Sequence, residues 1–427
     1  MPNAPALPSP ADLHEDQIVA LLRSGAHAAL LSAYFGDVEY RELAQLAKLA
    51  ATRSNSKGEL VFVLPGIMGS RLGLLQRRGN PSLLWLHPIA IAHGGLAQLA
   101  LPAGKALRAL GVMLPGYLKL KLSLEIAGFR PVFHPFDWRA DLENLARALL
   151  RAIAKSGARK VHIVAHSMGG LVARIALGHD RERRIHRLVQ LGTPNHGSFA
   201  PVQALRAVYP TVRKIAALDH HHDSAEHLAR TVFLTLPGLY QMMPTALSPD
   251  EPNLFDPAQW PQDELLPDAR MLAHAWNVRR RMPPPDERCA VIVGTHQQTI
   301  TSVRRCEDGF EYSIRCDGDG TVPLSRALWN DAETWFVQEN HGALPNNTDV
   351  VAAVNALLKE GTTSRLSKSR PEPATEVVRT VTDAELRAVA THKVHWERLS
   401  LDSRRRILEP IITTEFMNSA TVVPHSA

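Results

Sequence analysis

The feature that most constrains the fold is the stretch from Lys160 to Arg174, where a short apolar strand runs through a tight turn into a helix. Val161-His162-Ile163-Val164 has the β-branched character of a buried parallel strand. Leu171, Val172, Ile175 and Ala176 recur with a helical period, and Gly178 closes the helix. Between them lies Ala165-His166-Ser167-Met168-Gly169. A serine between small residues at a strand-to-helix turn describes a nucleophile elbow, which lifts the hydroxyl off the end of a sheet. Such a turn strains the serine backbone and is tolerated only where its neighbours are small, as Ala165 and Gly169 are. Gly170 lets the helix pack closely on the strand, and Met168 would aim its N–H at a developing oxyanion. The first motif position is Ala165, where glycine is usual. The competing reading is a plain strand–loop–helix joint in which Ser167 is an N-cap.

A chain of 427 residues holds one large α/β domain with insertions, or two domains. A formal charge of +6 is mild for that length; it permits attraction to an anionic membrane surface and carries no nucleic-acid signature. The three cysteines, Cys289, Cys306 and Cys316, are too few for a disulfide framework. Cys306 and Cys316 are spaced to meet across a hairpin, with reduced thiols as the plainer expectation. Met1-Pro2-Asn3-Ala4-Pro5 does not begin a secretory leader, and no apolar run is long enough to span a bilayer. The expected location is the cytoplasm.

Residues 1–58 read as a helical N-terminal extension of two or three helices. Leu60 to Leu64 is a strand running into Pro65-Gly66-Ile67-Met68-Gly69-Ser70, where the N–H of Ile67 is placed to be a second oxyanion donor; an ordinary turn is the alternative. Leu83 to Tyr117 is apolar but broken by Gly, Pro and His, and reads as an active-site flap or a buried helix pair. A helix ending at Gly128, a strand around Phe129 to His134 and a strongly periodic helix from Asp141 to Ser156 lead into the elbow. This succession builds a right-handed parallel sheet with helices on both faces. Residues 59–198 are thus the first part of an α/β-hydrolase core, residues 199–286 a helical cap or lid insertion, residues 287–359 the second part of the core, and residues 360–427 a linker and helical tail opened by a capping box at Thr382. Within the insertion, Pro237 to Pro244 carries Tyr240 and Met242, which would line an acyl-chain pocket or an ordinary core. Asp219-His220-His221-His222-Asp223 also lies there, but consecutive histidines point to different sides, so a solvated loop is expected and no metal.

A serine nucleophile needs a base within hydrogen-bond reach, and the base needs a carboxylate to hold its tautomer. In α/β-hydrolases the order along the chain is serine, acid, histidine. Here Ser167 is followed by Asp319, in Asp317-Gly318-Asp319-Gly320, and by His341, each in a loop after an expected core strand. Asp317 competes with Asp319; Gly320 and the following Val322 favour the latter. His166 points the wrong way for a base and is expected to pack or hydrogen-bond the turn.

The Pro65 to Ser70 loop, Asp137-Trp138-Arg139, Ala165 to Gly170, Gly192-Thr193-Pro194, Gly318 to Val322 and His341 together resemble the lecithin:cholesterol acyltransferase family, which includes phospholipid:diacylglycerol acyltransferases and lysosomal phospholipases. The resemblance covers about Leu60 to Leu358. It implies an α/β-hydrolase fold, an acyl-enzyme on Ser167, an oxyanion hole from Ile67 and Met168, and a lid near Trp85. Gly66, Trp85, Tyr240 and Met242 are then the expected substrate-contacting residues. The implied activity is hydrolysis or transfer of acyl groups of lipid esters, with no cofactor, and with peripheral contact to a membrane surface. The rivals are a carboxylesterase or thioesterase for small acyl esters, and a non-catalytic binding module on the same fold.

Overall fold

The computed structural model describes residues 13–53, 57–75, 82–85, 87–102, 107–220 and 224–388. Six strands form the central sheet: β1 (Leu60–Leu64), β2 (Arg130–Phe133), β3 (Val161–His166), β4 (Ile185–Leu191), β5 (Cys289–Gly294) and β6 (Glu333–Val337). Their order is β2-β1-β3-β4-β5-β6, and every neighbouring pair is parallel. Strands β1, β3 and β5 are buried along their whole length, as their unbroken apolar composition requires of a sheet covered on both faces.

The two faces follow the period of two along β1. Leu60, Phe62 and Leu64 pack with the helices Leu142–Lys155 and Met168–His179, whereas Val61 and Val63 pack with Leu114–Ile126 and Thr348–Glu360. The helix Leu142–Lys155 presents Leu142, Leu145, Leu149 and Ile153 to the core, and its N-cap, Asp141, accepts the Asn144 N–H at 3.0 Å. Each such fully buried leucine contributes about 2 kcal/mol through removal of apolar surface from water.

The chain lays β2 beside the outer edge of β1 and then returns to place β3 on its other side. The carboxyl ends of β1 and β3 therefore flank the point where the winding reverses. Open parallel sheets gather their reactive groups at such a point.

The N-terminal extension is three helices, Glu15–Ser24, Ala28–Phe35 and Asp37–Arg53, whose apolar faces share a cluster with Tyr117, Leu118 and Leu122. The Lys119–Glu42 ion pair, at 2.6 Å, ties the same surfaces. The stretch expected to be a flap or helix pair is built differently. Leu107–Val112 and Ser82–Leu83 pair antiparallel with Ser70–Leu74, and Leu84, Trp85, Leu96 and Leu99 belong to the main core. The next helix begins at Leu114, because Pro115 falls in its first turn, where a missing N–H costs nothing.

Between β4 and β5 runs a series of helices, including Ala200–Leu205, Pro210–Leu218, Ala225–Thr231, Pro237–Tyr240 and Ala269–Arg279. Their apolar residues, among them Val202, Val212, Leu228 and Tyr240, merge with the main core. Of the histidine-rich stretch, residues 221–223 lie outside the described residues, and among the described residues no cluster of metal-ligating side chains occurs. The hairpin Thr299–Cys306 and Gly309–Arg315 gains a third strand, Arg379–Thr382, followed by the helix Asp383–Ala388; the rest of the expected helical tail lies outside the described residues. Hairpin register pairs Cys306 with Gly309 and Arg315 with Thr299. Cys306 and Cys316 are thus at opposite ends of the ladder, on the order of 20 Å apart at the usual rise per residue, which excludes the pairing their spacing left open and agrees with the plainer expectation of reduced thiols. All three cysteines are free. No helix among the described residues is long and apolar enough to cross a membrane.

Candidate active site

Ser167 follows β3 directly and precedes the helix Met168–His179, with φ 53° and ψ −123°. A non-glycine residue holds such a conformation only where its surroundings over-determine it. They do so here through glycines. A Cβ on Gly66 would stand 2.9 Å from the Ser167 Cβ, and one on Gly169 would strike the Pro65 carbonyl. The loop after β1 is thereby able to lie against the serine.

Three side chains from three loops meet at the carboxyl edge of the sheet. His341 Nε2 is 2.9 Å from Ser167 Oγ, and His341 Nδ1 is 2.7 Å from Asp319 Oδ2. The other oxygen, Asp319 Oδ1, accepts the N–H groups of Thr321 at 3.0 Å and Val322 at 2.7 Å. With Oδ1 committed to two donors, the carboxylate presents Oδ2 as acceptor. His341 therefore carries its proton on Nδ1 and turns the Nε2 lone pair to the serine hydroxyl. The His341 N–H also donates to the Asp319 carbonyl, at 2.8 Å, so backbone and side chain hold the pair in one register. Ser167, His341 and Asp319 are 6%, 3% and 1% exposed, so the three groups interact largely out of water. Asp317 stands apart from this cluster, and burial raises its pKa above the ordinary carboxylate value.

Two glycines, Gly192 of the Gly192-Thr193-Pro194 motif and Gly294, make room for the acid and the base, a role the sequence did not show. A Cβ on Gly192 would approach Asp319 Oδ2 and His341 Nδ1 to 3.0 Å each, and one on Gly294 would come within 2.6 Å of the Asp319 Cβ. Both close β-strands, at the ends of β4 and β5. The signal available in sequence was only that a glycine followed each strand.

Ile67 lies in the loop after β1, next to the Gly66 that approaches the serine, and Met168 opens the elbow helix. Neither backbone N–H donates to a protein acceptor among the described residues. First-turn N–H groups of a helix have no intrahelical partner, which leaves them for a ligand. Gly66 N–H donates instead to the Tyr117 hydroxyl, at 2.8 Å. That hydroxyl is 2.9 Å from His166 Nδ1, and His166 Nε2 is 2.9 Å from the His341 carbonyl. His166 thus hydrogen-bonds behind the turn, as expected, but its partner Tyr117, far off on a helix, was invisible in the sequence.

Of the residues expected to touch substrate, Gly66 lies against the serine, whereas Trp85, Tyr240 and Met242 are buried in the core. Trp85 is fully buried, edge-on to Trp138 with centroids 5.0 Å apart, and its indole N–H donates to the Met68 carbonyl at 2.9 Å. Through that bond it braces the loop after β1, in which Met68 holds φ 62°. Tyr240 is buried, with its hydroxyl donating to Leu234 O at 3.0 Å, and Met242 is buried with its carbonyl accepting the Ser198 N–H at 3.0 Å. Both are built into the helical run. The run nevertheless reaches the elbow, since a Cβ on Gly238 would stand 2.8 Å from the Met168 Cε. Asp137-Trp138-Arg139 is likewise a brace: Asp137 holds Arg139 through two bonds of 2.8 and 2.7 Å, and the Trp138 indole donates to Ser70 O at 3.3 Å. Behind the loop after β4, Arg174 and Arg279 both donate to the Asn195 carbonyl, at 3.1 and 2.9 Å; burial pushes the Arg279 pKa down to about 9.

A parallel sheet wound in this order, with a serine on a strained strand-to-helix turn at its reversal point, is the α/β-hydrolase fold. Residues 142–247, which carry the elbow and the start of the helical run, match the family described as PGAP1-like alpha/beta domain. That match does not establish the acyltransferase family that the motifs resemble. No curated protein matches the chain in sequence. Among solved structures, the Tle4–Tli4 complex is similar at 12% identity and a TM-score of 0.45, over 71% of this chain and 99% of that one. The lipase BlEst2 of Bacillus licheniformis, in mature form, is similar at 12% identity and a TM-score of 0.38, over 73% and 94%. Carboxylesterase CesB (YbfK) from Bacillus subtilis follows at 12% and 0.33, over 72% and 86%. Likeness of this degree carries no functional argument.

Proposed function

We propose that this protein is a serine hydrolase or O-acyltransferase that cleaves lipid-type esters through an acyl-enzyme on Ser167. The observation that carries the reading is the pair of hydrogen bonds at His341, 2.9 Å to Ser167 Oγ and 2.7 Å to Asp319 Oδ2. His341 Nε2 takes the hydroxyl proton as Ser167 Oγ bonds to the ester carbonyl carbon. The carbonyl oxygen becomes an oxyanion, held by the N–H groups of Ile67 and Met168. Asp319 stabilises the imidazolium without itself taking the proton. The imidazolium then protonates the leaving alkoxide oxygen as the C–O bond breaks, leaving the acyl group on Ser167. Water or an acceptor alcohol, deprotonated by His341, attacks the acyl-enzyme and releases the product. The chemistry asks for no cofactor and no nucleic acid. The apolar helical run that meets Met168 supports an acyl-chain substrate, and contact with a membrane surface fits such a substrate.

The test is labelling with a fluorophosphonate, followed by turnover of nitrophenyl esters from acetate to long-chain acids. The wild type is expected to be labelled, Ser167→Ala to be inert, and turnover to favour the longer chains. Equal labelling of Ser167→Ala would remove the acyl-enzyme. A preference for acetate or butyrate would leave a small-ester esterase in place of the lipid reading.

A further inference from the structure

Two polar groups beside the site that the chemistry above leaves unused are Tyr117 and His166. Both are buried, at 6% exposure each. The hydrogen-bond accounting around them allows one arrangement. The Gly66 N–H can only donate, so the Tyr117 oxygen accepts it. The phenol proton then goes to the other neighbour, His166 Nδ1, at 2.9 Å. His166 must accept on Nδ1 and so carries its own proton on Nε2, which donates to the His341 carbonyl at 2.9 Å. The run from Gly66 N–H through Tyr117 and His166 to His341 C=O is closed, with each donor matched to one acceptor.

Its two ends are the two parts of the site that must hold a fixed spacing. One end is the residue before Ile67, on a loop whose Gly66 lies against the serine Cβ. The other is the backbone of His341, whose N–H is already fastened to the Asp319 carbonyl. The carbonyl bond from His166 fastens the opposite side of the same residue. His166 stays neutral: burial first, then the neighbouring His341, holds its pKa well below the usual histidine value. The imidazole faces His341 with ring centroids 4.8 Å apart, and Tyr117 at 5.8 Å.

We infer that Tyr117 and His166 are positioning residues, a hydrogen-bonded strut that sets the distance between the oxyanion donor Ile67 and the general base His341. The inference rests on the acyl-enzyme reading and adds to it residues that touch no substrate. A strut of this kind acts when charge develops at the carbonyl oxygen, so its loss weakens the transition state and leaves ground-state binding nearly alone.

The experiment compares wild type, Tyr117→Phe, His166→Gln and the double variant on a nitrophenyl ester, alongside a trifluoromethyl ketone inhibitor that forms a tetrahedral adduct on the serine. Tyr117→Phe is expected to lower kcat about 10- to 100-fold with KM little changed, the scale on which small misplacements act. The inhibition constant is expected to rise by the same factor as kcat/KM falls. The double variant is expected to be no worse than the weaker single one, since the two side chains form one strut. Unchanged kcat in Tyr117→Phe, a kcat loss unmatched by the inhibition constant, or losses that multiply would overturn the strut. Thermal melts check that each variant folds; if Tyr117→Phe does not, His166→Gln with the inhibitor gives the same reading alone. Fluorophosphonate labelling of the wild type in the same preparation separates the two levels: an inert wild type removes the acyl-enzyme itself, whereas a labelled wild type beside a fully active Tyr117→Phe removes only the strut.

Discussion

Among the carboxylates almost wholly shielded from water, Asp319 and Asp383 are put to opposite uses. Asp319 is 1% exposed and Asp383 is 0% exposed. Asp383 joins the C-terminal segment to the hairpin and to the helical run. Its Oδ2 accepts from Arg206 Nε at 2.9 Å and from the Phe310 N–H at 3.3 Å, and its Oδ1 accepts from the Tyr312 hydroxyl at 2.8 Å. Arg206, also fully buried, is held further by both oxygens of Asp263, at 2.7 Å. Both oxygens of Asp383 are occupied by donors, and its principal cation never gives up a proton. Asp319 has two backbone donors on one oxygen but, on the other, a histidine whose far nitrogen faces a hydroxyl. Burial and charge are therefore common to a fastening and to a reactive site. The difference is whether the partner can move a proton.

The strongest way to break that contrast is Asp319→Asn. The Asn oxygen would keep the two backbone donors, so its NH2 would face His341 Nδ1. The imidazole would then accept there and carry its proton on Nε2, pointing at Ser167, where it cannot act as base. Turnover is expected to fall by about four orders of magnitude, while the urea midpoint changes little. Activity near the wild-type level would mean that the carboxylate is structural after all.

The converse substitution is Asp383→Asn. It leaves Arg206 buried with half its compensation, and removing one member of a buried pair costs about 3 kcal/mol or more. The urea midpoint should drop accordingly, while the folded fraction keeps its rate of reaction with a fluorophosphonate. A loss of that rate at unchanged stability would make Asp383 part of the site and erase the distinction.

What the sequence revealed follows the same divide between local and distant causes. Ser167, Asp319 and His341 could be located because each lies in a loop after a strand with a strong apolar signal, and the winding of a parallel sheet brings those loops to one edge. Gly192 and Gly294 matter because of what approaches them, and approach is a tertiary fact. Tyr117 sits on the helix Leu114–Ile126, where it reads as an ordinary apolar-face residue; only the packed helix shows its hydroxyl between Gly66 and His166. Several short strands, Leu107–Val112 and Arg379–Thr382 among them, escaped for a related reason. Leu107-Arg108-Ala109-Leu110-Gly111-Val112 lacks clean alternation, and its pairing with Ser70–Leu74 is interrupted by a bulge near Leu72. Arg379–Thr382 is four residues long and half exposed, so its strand character comes from the hairpin edge it joins.

Half-buried histidines with no partner charge supply a control on the contrast. Burial alone pushes the His134 pKa down to about 4, and burial, with Arg279, Arg174 and Arg326 nearby, does the same to His196. In the unfolded chain these imidazoles titrate near 6.5. As pH falls below about 6.5 the unfolded state takes up protons that the folded state refuses, so stability is lost down to about pH 4 and not further on their account. The expected loss is about 1–2 kcal/mol per histidine by pH 5, and His134→Gln or His196→Gln should flatten the slope of Tm against pH in that window. An unaltered slope would mean that the acid sensitivity comes from the carboxylates.

The finest probe is the capping box that precedes Asp383. Thr382 Oγ1 accepts the Glu385 N–H at 3.1 Å, and Glu385 answers through the Thr382 N–H at 2.8 Å. Removing the first of these in Thr382→Ala costs about 1 kcal/mol at most, because the box lies at the exposed surface and the segment is held mainly by the buried pair beneath it. The measurement is hydrogen exchange. Amides of Arg379–Thr382 and Asp383–Ala388 should open faster in Thr382→Ala, and those of the elbow helix should not. If the fastening is independent of the site, turnover stays at the wild-type level even though the segment frays; if turnover falls with it, the C-terminal strand governs the serine through the hairpin, and the two buried carboxylates belong to one coupled system.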